Sequence, residues 1–469
     1  MPKQVTKIQY PDSLDIKHYS KKHFWRASSE VVGLNSGVWA FDRYVTKSDF
    51  AYISKETIKA NFSHGFVWDN DQIGTNLFLH PYHGSLYYNA ARSNGYGYLA
   101  SSMFAFGGSL MWEMFCENEY PSINDIIATP IGGTAFGEIS YRASDMILDD
   151  RKTGAERLGR EAAALLIAPT RGLTRILNGD AWKKRRTSGR QFGIPPISVE
   201  ISTGVRGLEL KDEILDEGVG LATGLSVEYG ERYESHGLSP YDYFVVRGNL
   251  NIQKGQPMLG SVSVLGRLWS SDLIDSKKDY FNIGIYQHFD YYDSDTISDV
   301  SNKIPYKFGT PASFGVGLIH KSKRFANWDF NSFIHFNGVL IGGSLSDHYL
   351  VDKRDYNLGS GFSWHSGVSI AYKDIAALAW KHVGFRLFSW KGYPQDFNLE
   401  SAMESEINYQ GDKSNTTLNT SNVRFDLKLR RQLYLTSEYS IYRRSTHYAY
   451  FDDVYSWSSE GKLQLTYKF

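Results

Sequence analysis

His80 and His83 stand three apart in the run HPYHG, Ser85 follows, and Glu113 and Glu117 stand four apart in WEMFCE. Imidazole nitrogens and carboxylate oxygens at helical spacing are the donors a divalent metal takes, so His80, His83, Glu113 and Glu117 form one candidate metal set. The same region can be sorted as a hydrolytic set drawn from His80, His83, Ser85 and Glu113. There Ser85 would be the nucleophile, His83 its base and Glu113 the orienting acid. A third reading needs no reaction. Carboxylates on an apolar helix are costly unless paired. Arg92, Arg142, Arg157, Arg160 and Arg171 are at hand to answer them, with the histidines bonded to backbone carbonyls. No HExxH, GxSxG or other local catalytic signature is present, which puts the buried network first and an envelope enzyme second. Ser122, ahead of Asn124 and Asp125, reads as a helix cap. Gly132, Gly133 and Gly137 read as close helix packing rather than a phosphate loop, since no Lys-Ser/Thr follows.

These residues need helices to hold them. Residues 27–58 look helical with a break at 46–50, and Pro81 places His80 and His83 in a turn or at a helix start. Residues 92–119 read as one long helix or a broken pair. Thr129-Pro130 and Gly132-Gly133 read as an interruption before further helices at 137–146 and 157–166. The stretch 95–116 is apolar but rich in Gly, Ser and Ala, and reads as buried in protein rather than crossing lipid. The run Lys183 to Arg186 reads as solvated surface that beside a membrane meets anionic lipid.

Past about residue 189 the period falls from 3.6 to 2. Val423, Phe425, Leu427 and Leu429 alternate with Arg424, Asp426, Lys428 and Arg430. A soluble sandwich alternates too, so the number and the end of the strands decide. About twelve such segments fall at 195–207, 218–231, 242–253, 258–269, 279–291, 309–320, 329–342, 358–372, 375–390, 416–431, 433–446 and 456–469. Each is near the length a tilted strand needs to cross a bilayer. The last reads GKLQLTYKF and ends on Phe469, which resembles the closing strand of bacterial outer-membrane barrels. So many apolar-faced strands would leave open edges in a sheet, and in lipid only closure satisfies them. Inward phases carry Arg206, Arg247, Arg267, His288, His335, Arg424, Lys428, Arg430 and Glu438.

Composition bounds the rest. In 469 residues, 51 basic side chains balance 51 acidic ones, so no field favours nucleic acid. Aromatics at 15% with 43 glycines suit a barrel with interfacial girdles and a polar lumen. The single Cys116 excludes an intrachain disulfide framework. MPKQVTKIQY has no apolar core, so the given chain shows no signal peptide.

The stretch NLFLHPYHGSLYYNAARSNGYGYLASS, with GGSLMWEMFCENEYPSINDIIATPIGGTAFGE and APTRGLTRILNG after it, resembles the DUF3943 family of exported proteins of Bacteroidetes-type bacteria. The resemblance spans about residues 66–179 and carries no assigned catalytic residue. It implies a Gram-negative outer-membrane setting. The expected architecture is a transmembrane antiparallel β-barrel of about twelve strands over 190–469, with a mainly helical plug or periplasmic cap over 1–189. The expected partners are outer-membrane lipid or lipopolysaccharide and other envelope proteins, with a divalent metal as the possible cofactor. Three roles follow: a structural or envelope-maintenance component, an envelope lipid-modifying hydrolase or metal enzyme, and a gated transporter.

Overall fold

The computed structural model describes residues 21–69, 71–210, 213–234, 239–294, 304–322, 324–348, 354–393, 397 and 410–469. It divides into a helical unit that ends at Pro195 and a barrel unit that begins at Pro196.

The helical unit contains α1 (Phe24–Phe41), α2 (Lys55–His64), α3 (His80–Ser93), α4 (Tyr98–Phe115), α5 (Ile123–Ile147), α6 (Gly154–Ile167) and α7 (Pro169–Leu177). Pro81 stands at a helix start, one of the two settings its sequence allows. It sits in the first turn of α3, directly after a π-helical turn at Thr75–Leu79, so the helical path runs on through His80. A proline has no N–H to give the turn before it, and the wider π turn absorbs that loss. Pro130 lies inside α5, which continues from residue 123 to 147 where the sequence suggests an interruption. The break comes instead at Gly95, whose φ of +86° ends α3 and lets α4 turn back. Ser122 does cap α5, its Oγ accepting from Asp125 N–H at 3.2 Å.

Glycines set how closely α3 and α5 approach. A Cβ on Gly133 would stand 2.6 Å from the Gly84 Cα, and one on Gly84 would strike the Thr129 carbonyl. Gly137 lies flat against the Tyr88 ring and Gly108 against Tyr87. No helix among the described residues is long and apolar enough to cross a membrane.

The barrel strands are β1 (Ile197–Leu210), β2 (Glu213–Tyr229), β3 (Phe244–Ile252), β4 (Leu259–Asp275), β5 (Asp279–Asp293), β6 (Lys307–Ser322), β7 (Trp328–Leu345), β8 (Tyr356–Tyr372), β9 (Ala376–Phe388), β10 (Ser414–Arg430), β11 (Leu433–Tyr448) and β12 (Val454–Lys468). Each pairs antiparallel with its sequence neighbour, and β1 pairs with β12, Glu200 opposite Lys468 and Arg206 opposite Lys462, to close the ring. This is the expected architecture: a twelve-stranded antiparallel barrel together with a mainly helical amino-terminal region.

Alternation decides which face meets lipid. On β12 Leu463, Leu465 and Tyr467 are 50%, 47% and 41% exposed, while Gln464 and Thr466 between them are 4% and 0%. The inside is a hydrogen-bonded polar lattice. Ser202 Oγ and Thr466 Oγ1 lie 2.7 Å apart, Thr436 Oγ1 is 2.6 Å from Thr466 Oγ1, and the Thr436 hydroxyl is 2.6 Å from Asp426 Oδ1. An apolar exterior around a polar interior is stable only in lipid, which places the barrel in a Gram-negative outer membrane. Single cysteines at Val423, Phe425 and Leu427 are expected to react with a membrane-phase maleimide while those at Asp426 and Thr466 do not. The reverse pattern would refute this register.

Candidate functional site

The residues singled out in the sequence separate in space. His80 Nε2 lies 3.6 Å from Asp71 Oδ2 and 3.6 Å from Asp125 Oδ1. Asp69 accepts from Asn76 Nδ2 at 2.6 Å and from Asn124 Nδ2 at 2.9 Å. Glu113 accepts the Ser122 backbone N–H at 2.7 Å, and Glu117 accepts the Trp112 indole N–H. His80 is thus surrounded by five acids: Asp69, Asp71, Glu113, Glu117 and Asp125. The WDND run and the cap of α5 supply three of them.

No arginine or lysine pairs with Glu113, Glu117 or Asp125 among the described residues. Burial therefore pushes Glu113 and Asp125 well above the usual carboxylate range and Glu117 up to about 8. Burial and the neighbouring Asp69 push Asp125 up, while the hydrogen bond with Asp125 helps to hold Asp69 down against the upward push of burial. Burial alone would lower His80, but Asp71, Asp69 and Glu113 hold it above its ordinary value.

His83 is not in it. Its Nε2 lies 3.0 Å from the Tyr87 hydroxyl, its ring meets the edge of Trp112 at 5.3 Å, and burial holds it down at about 3. Ser85 Oγ donates to the Tyr82 carbonyl at 2.5 Å, so its proton is committed to backbone rather than to His83. The hydrolytic arrangement is not assembled. Nor do His80, His83, Glu113 and Glu117 converge as metal donors. Cys116 is buried.

Arg92 and Arg142 do answer an acid of the Glu113 to Glu138 stretch, as the sequence suggests, and that acid is Glu138 rather than Glu113 or Glu117. Glu138 accepts from Arg92 Nε at 2.8 Å, from Arg92 Nη2 at 3.2 Å, from Arg142 Nε at 2.8 Å and from the Tyr88 hydroxyl at 2.6 Å. Arg171 pairs with Asp145 at 2.5 Å, and Arg157 and Arg175 both grip Asp150 and Glu161. Arg185, from the run read as solvated surface, pairs with Asp180 at 2.5 Å.

Glu117 gives a pH test. Its folded pKa lies above the unfolded one, so the folded state holds the extra proton. Stability is then highest below the unfolded value and falls as pH rises toward about 8. The helical signal at 222 nm should melt at lower temperature at pH 8 than at pH 5, and Glu117→Gln should flatten that dependence. An unchanged dependence in Glu117→Gln would show that this carboxyl is not the buried proton holder.

Residues 65–170 match the model of DUF3943, a domain of unknown function. The helical region carries a DUF3943 domain. His80 and all five surrounding acids fall inside this domain, as do the Glu138 pairs with Arg92 and Arg142. No curated protein matches the chain. Among solved structures, the NanC porin is 11% identical, covering 57% of this chain and 100% of its own, with a TM-score of 0.28. The Pseudomonas putida toluene transporter TodX is 8% identical over 58% and 88%, with a TM-score of 0.22. The Acinetobacter baumannii outer membrane channel DcaP is 7% identical over 58% and 96%, with a TM-score of 0.24. None is similar enough to transfer a solute.

The barrel lumen holds a second candidate site. A polar cavity of about 470 Å³ is lined by residues from both sides of the ring. Several lining charges cancel: Arg424 pairs with Glu200 at 2.9 Å and Asp426 at 3.0 Å, and Lys468 with Asp426 at 3.1 Å. Arg232, Arg247 and Lys381 line it too, and take part in no salt bridge among the described residues.

The cavity meets an apolar layer. Tyr292, Tyr306, Phe308, Val339, Val383, Phe385, Leu387 and Leu418 form one buried cluster, with Tyr442 against it. Phe308 and Phe385 are 4.8 Å apart, and Tyr306 stacks on Tyr442 at 4.5 Å. These residues come from β5 round to β11, and the Tyr306–Tyr442 stack joins the chain before β6 to β11. The chain before β6 is tied there as well, the Pro305 carbonyl accepting from Arg444 Nε at 2.9 Å and from Ser456 Oγ at 2.5 Å. A buried His288, Asp290 and His365 cluster, able to offer metal donors, also lies on the inner wall. Sequence reading listed His288 and Arg247 as inward but had no means of assembling the cluster or the layer.

Proposed function

We propose that this protein is a gated outer-membrane channel for small anionic solutes. The observation that carries the reading is a polar lumenal cavity lined by Arg232, Arg247 and Lys381, which take part in no salt bridge among the described residues, next to a buried cluster of aromatic and aliphatic side chains. Fixed positive groups in a low-dielectric lumen raise the local concentration of anions. The aromatic layer supplies the gate, because a dry constriction stops ions until it is moved. Serine, threonine and asparagine side chains around the cavity offer hydrogen bonds to a polar solute.

The His80 cluster takes a proton-handling role in this reading, rather than metal ligation or hydrolysis. Its support is that His83 and Ser85 are engaged elsewhere while the acids retain protons. The outward face contacts lipid, with lipopolysaccharide in the outer leaflet and other envelope proteins as the partners to look for. A Bacteroidetes-type source rests on the sequence resemblance alone.

Proteoliposomes loaded with a neutral sugar, a small organic anion or a small organic cation of equal size test the reading. The anion should leave fastest, and Arg232→Gln, Arg247→Gln and Lys381→Gln combined should remove the preference. Faster passage of the cation would contradict it.

A further inference from the structure

We propose that His288, Asp290 and His365 bind a divalent transition-metal ion inside the barrel. His288 and Asp290 are two apart on β5 and so share the inward face, and His365 comes from β8. Two strands, β6 and β7, lie between them in the ring. One donor atom from each residue lies within 4.8 Å of the other two, and all three residues are buried. Donors around a tetrahedral zinc ion stand about 3.3 Å apart, so modest side-chain movement closes the set.

The decisive feature is Asp290. It is 1% exposed, and neither carboxylate oxygen has a hydrogen-bond partner among the described residues. Its Oδ2 lies 3.4 Å from His365 Nε2, which is itself without a hydrogen-bond partner. A buried carboxylate left unanswered is expensive, and something positive must compensate it. Lys381 is near enough to act on Asp290 electrostatically but makes no ion pair with it among the described residues.

A metal ion answers the carboxylate and both imidazoles at once. Two histidines and one carboxylate suit zinc, cobalt or iron rather than calcium or magnesium, which take mainly oxygen. His335 completes the arrangement from outside. On β7 it pairs directly with His365, and its Nδ1 lies 3.0 Å from His288 Nε2. In the tautomer where His288 Nε2–H donates to that nitrogen, the His288 Nδ1 lone pair is free to ligate. Metal-bound histidines characteristically have such a partner for the second nitrogen. Tyr286 stacks on His335 at 4.2 Å and holds it in place.

A bound ion would tie β5 to β8 without backbone pairing. Phe385 of the aromatic layer meets the His365 ring at 5.8 Å, so the tie would lie next to that layer. The proposal does not depend on conduction.

The test uses the untagged full-length protein in detergent, stripped with chelator and titrated with Co²⁺. One Co²⁺ per chain, with the visible bands of a tetrahedral site and displacement by Zn²⁺, is expected. Asp290→Asn and His365→Gln should each abolish the bands while keeping the heat-resistant electrophoretic mobility of a folded barrel. Lys381→Met should tighten binding severalfold by removing a competing cation. Equal Co²⁺ binding by folded Asp290→Asn would place the metal elsewhere and overturn the proposal. So would absence of stoichiometric Co²⁺ from the wild type, even if Lys381→Met bound it, because the ammonium would then be what answers Asp290.

Discussion

Glu138→Ala is expected to cost the helical unit about 3–5 kcal/mol, the scale on which a buried pair fails when one partner is removed. The carboxylate is fully buried and answers Arg92, Arg142 and Tyr88 together. Its loss would remove the acid that Arg92 and Arg142 share in the seam between α3 and α5. Burial alone would raise Glu138, but Arg92 and Arg142 overrule it and hold the carboxylate down at about 2. That stability is therefore present above the unfolded carboxyl range and drains away as pH falls toward 2. Reversible denaturation followed at 222 nm measures the loss, with the barrel remaining as the background signal. A cost below about 1 kcal/mol would mean that water reaches the two guanidiniums.

Opening the aromatic layer should change conduction most. Tyr306→Ala with Phe385→Ala removes one ring of the Tyr306–Tyr442 stack and one of the Phe308–Phe385 contact. Conductance in planar bilayers should then rise by about tenfold or more over the wild type, as a dry constriction wets. The strands should survive, since the ring is closed by backbone pairing that these side chains do not supply. Two truncated aromatics would each cost about 3–5 kcal/mol in an ordinary core, so heat-resistant mobility is the necessary control. A folded double variant that conducts no better than the wild type would show that the layer is not the barrier.

The barrel was legible because its information is local. Each strand announces itself by alternation, as in Val423 to Arg430, and Phe469 marks the end of the set. Helix type was legible for the same reason, but helix ends were not. Pro130 is a strong local breaker, yet the packed environment of α5 around it keeps that helix intact, whereas Pro81 stands at a helix start, one of the two settings its sequence allows. The candidate site was half legible. Glu113 and Glu117 do share surroundings with His80, although the helical i,i+4 reading does not hold, because α4 ends at Phe115 and Glu117 lies just beyond it. Whether an acid faces Arg92 or His80 depends on how α3, α4 and α5 pack, and composition says nothing of that. The His288, His335 and His365 cluster lay further out of reach. Lone histidines on β5, β7 and β8 become neighbours only once the register His335 opposite His365 is known. One signal for the aromatic layer was present: Val383, Phe385 and Leu387 continue the inward phase of Lys381, an apolar run where a polar lumen was expected.

The most direct measurement of the channel reading is the reversal potential of the Tyr306→Ala, Phe385→Ala protein in a planar bilayer under a potassium chloride gradient. Lumenal Arg232, Arg247 and Lys381 predict a potential displaced toward chloride equilibrium. Arg247→Glu with Lys381→Glu should displace it toward potassium. A reversal potential already at the potassium side, or one indifferent to both replacements, would contradict the account.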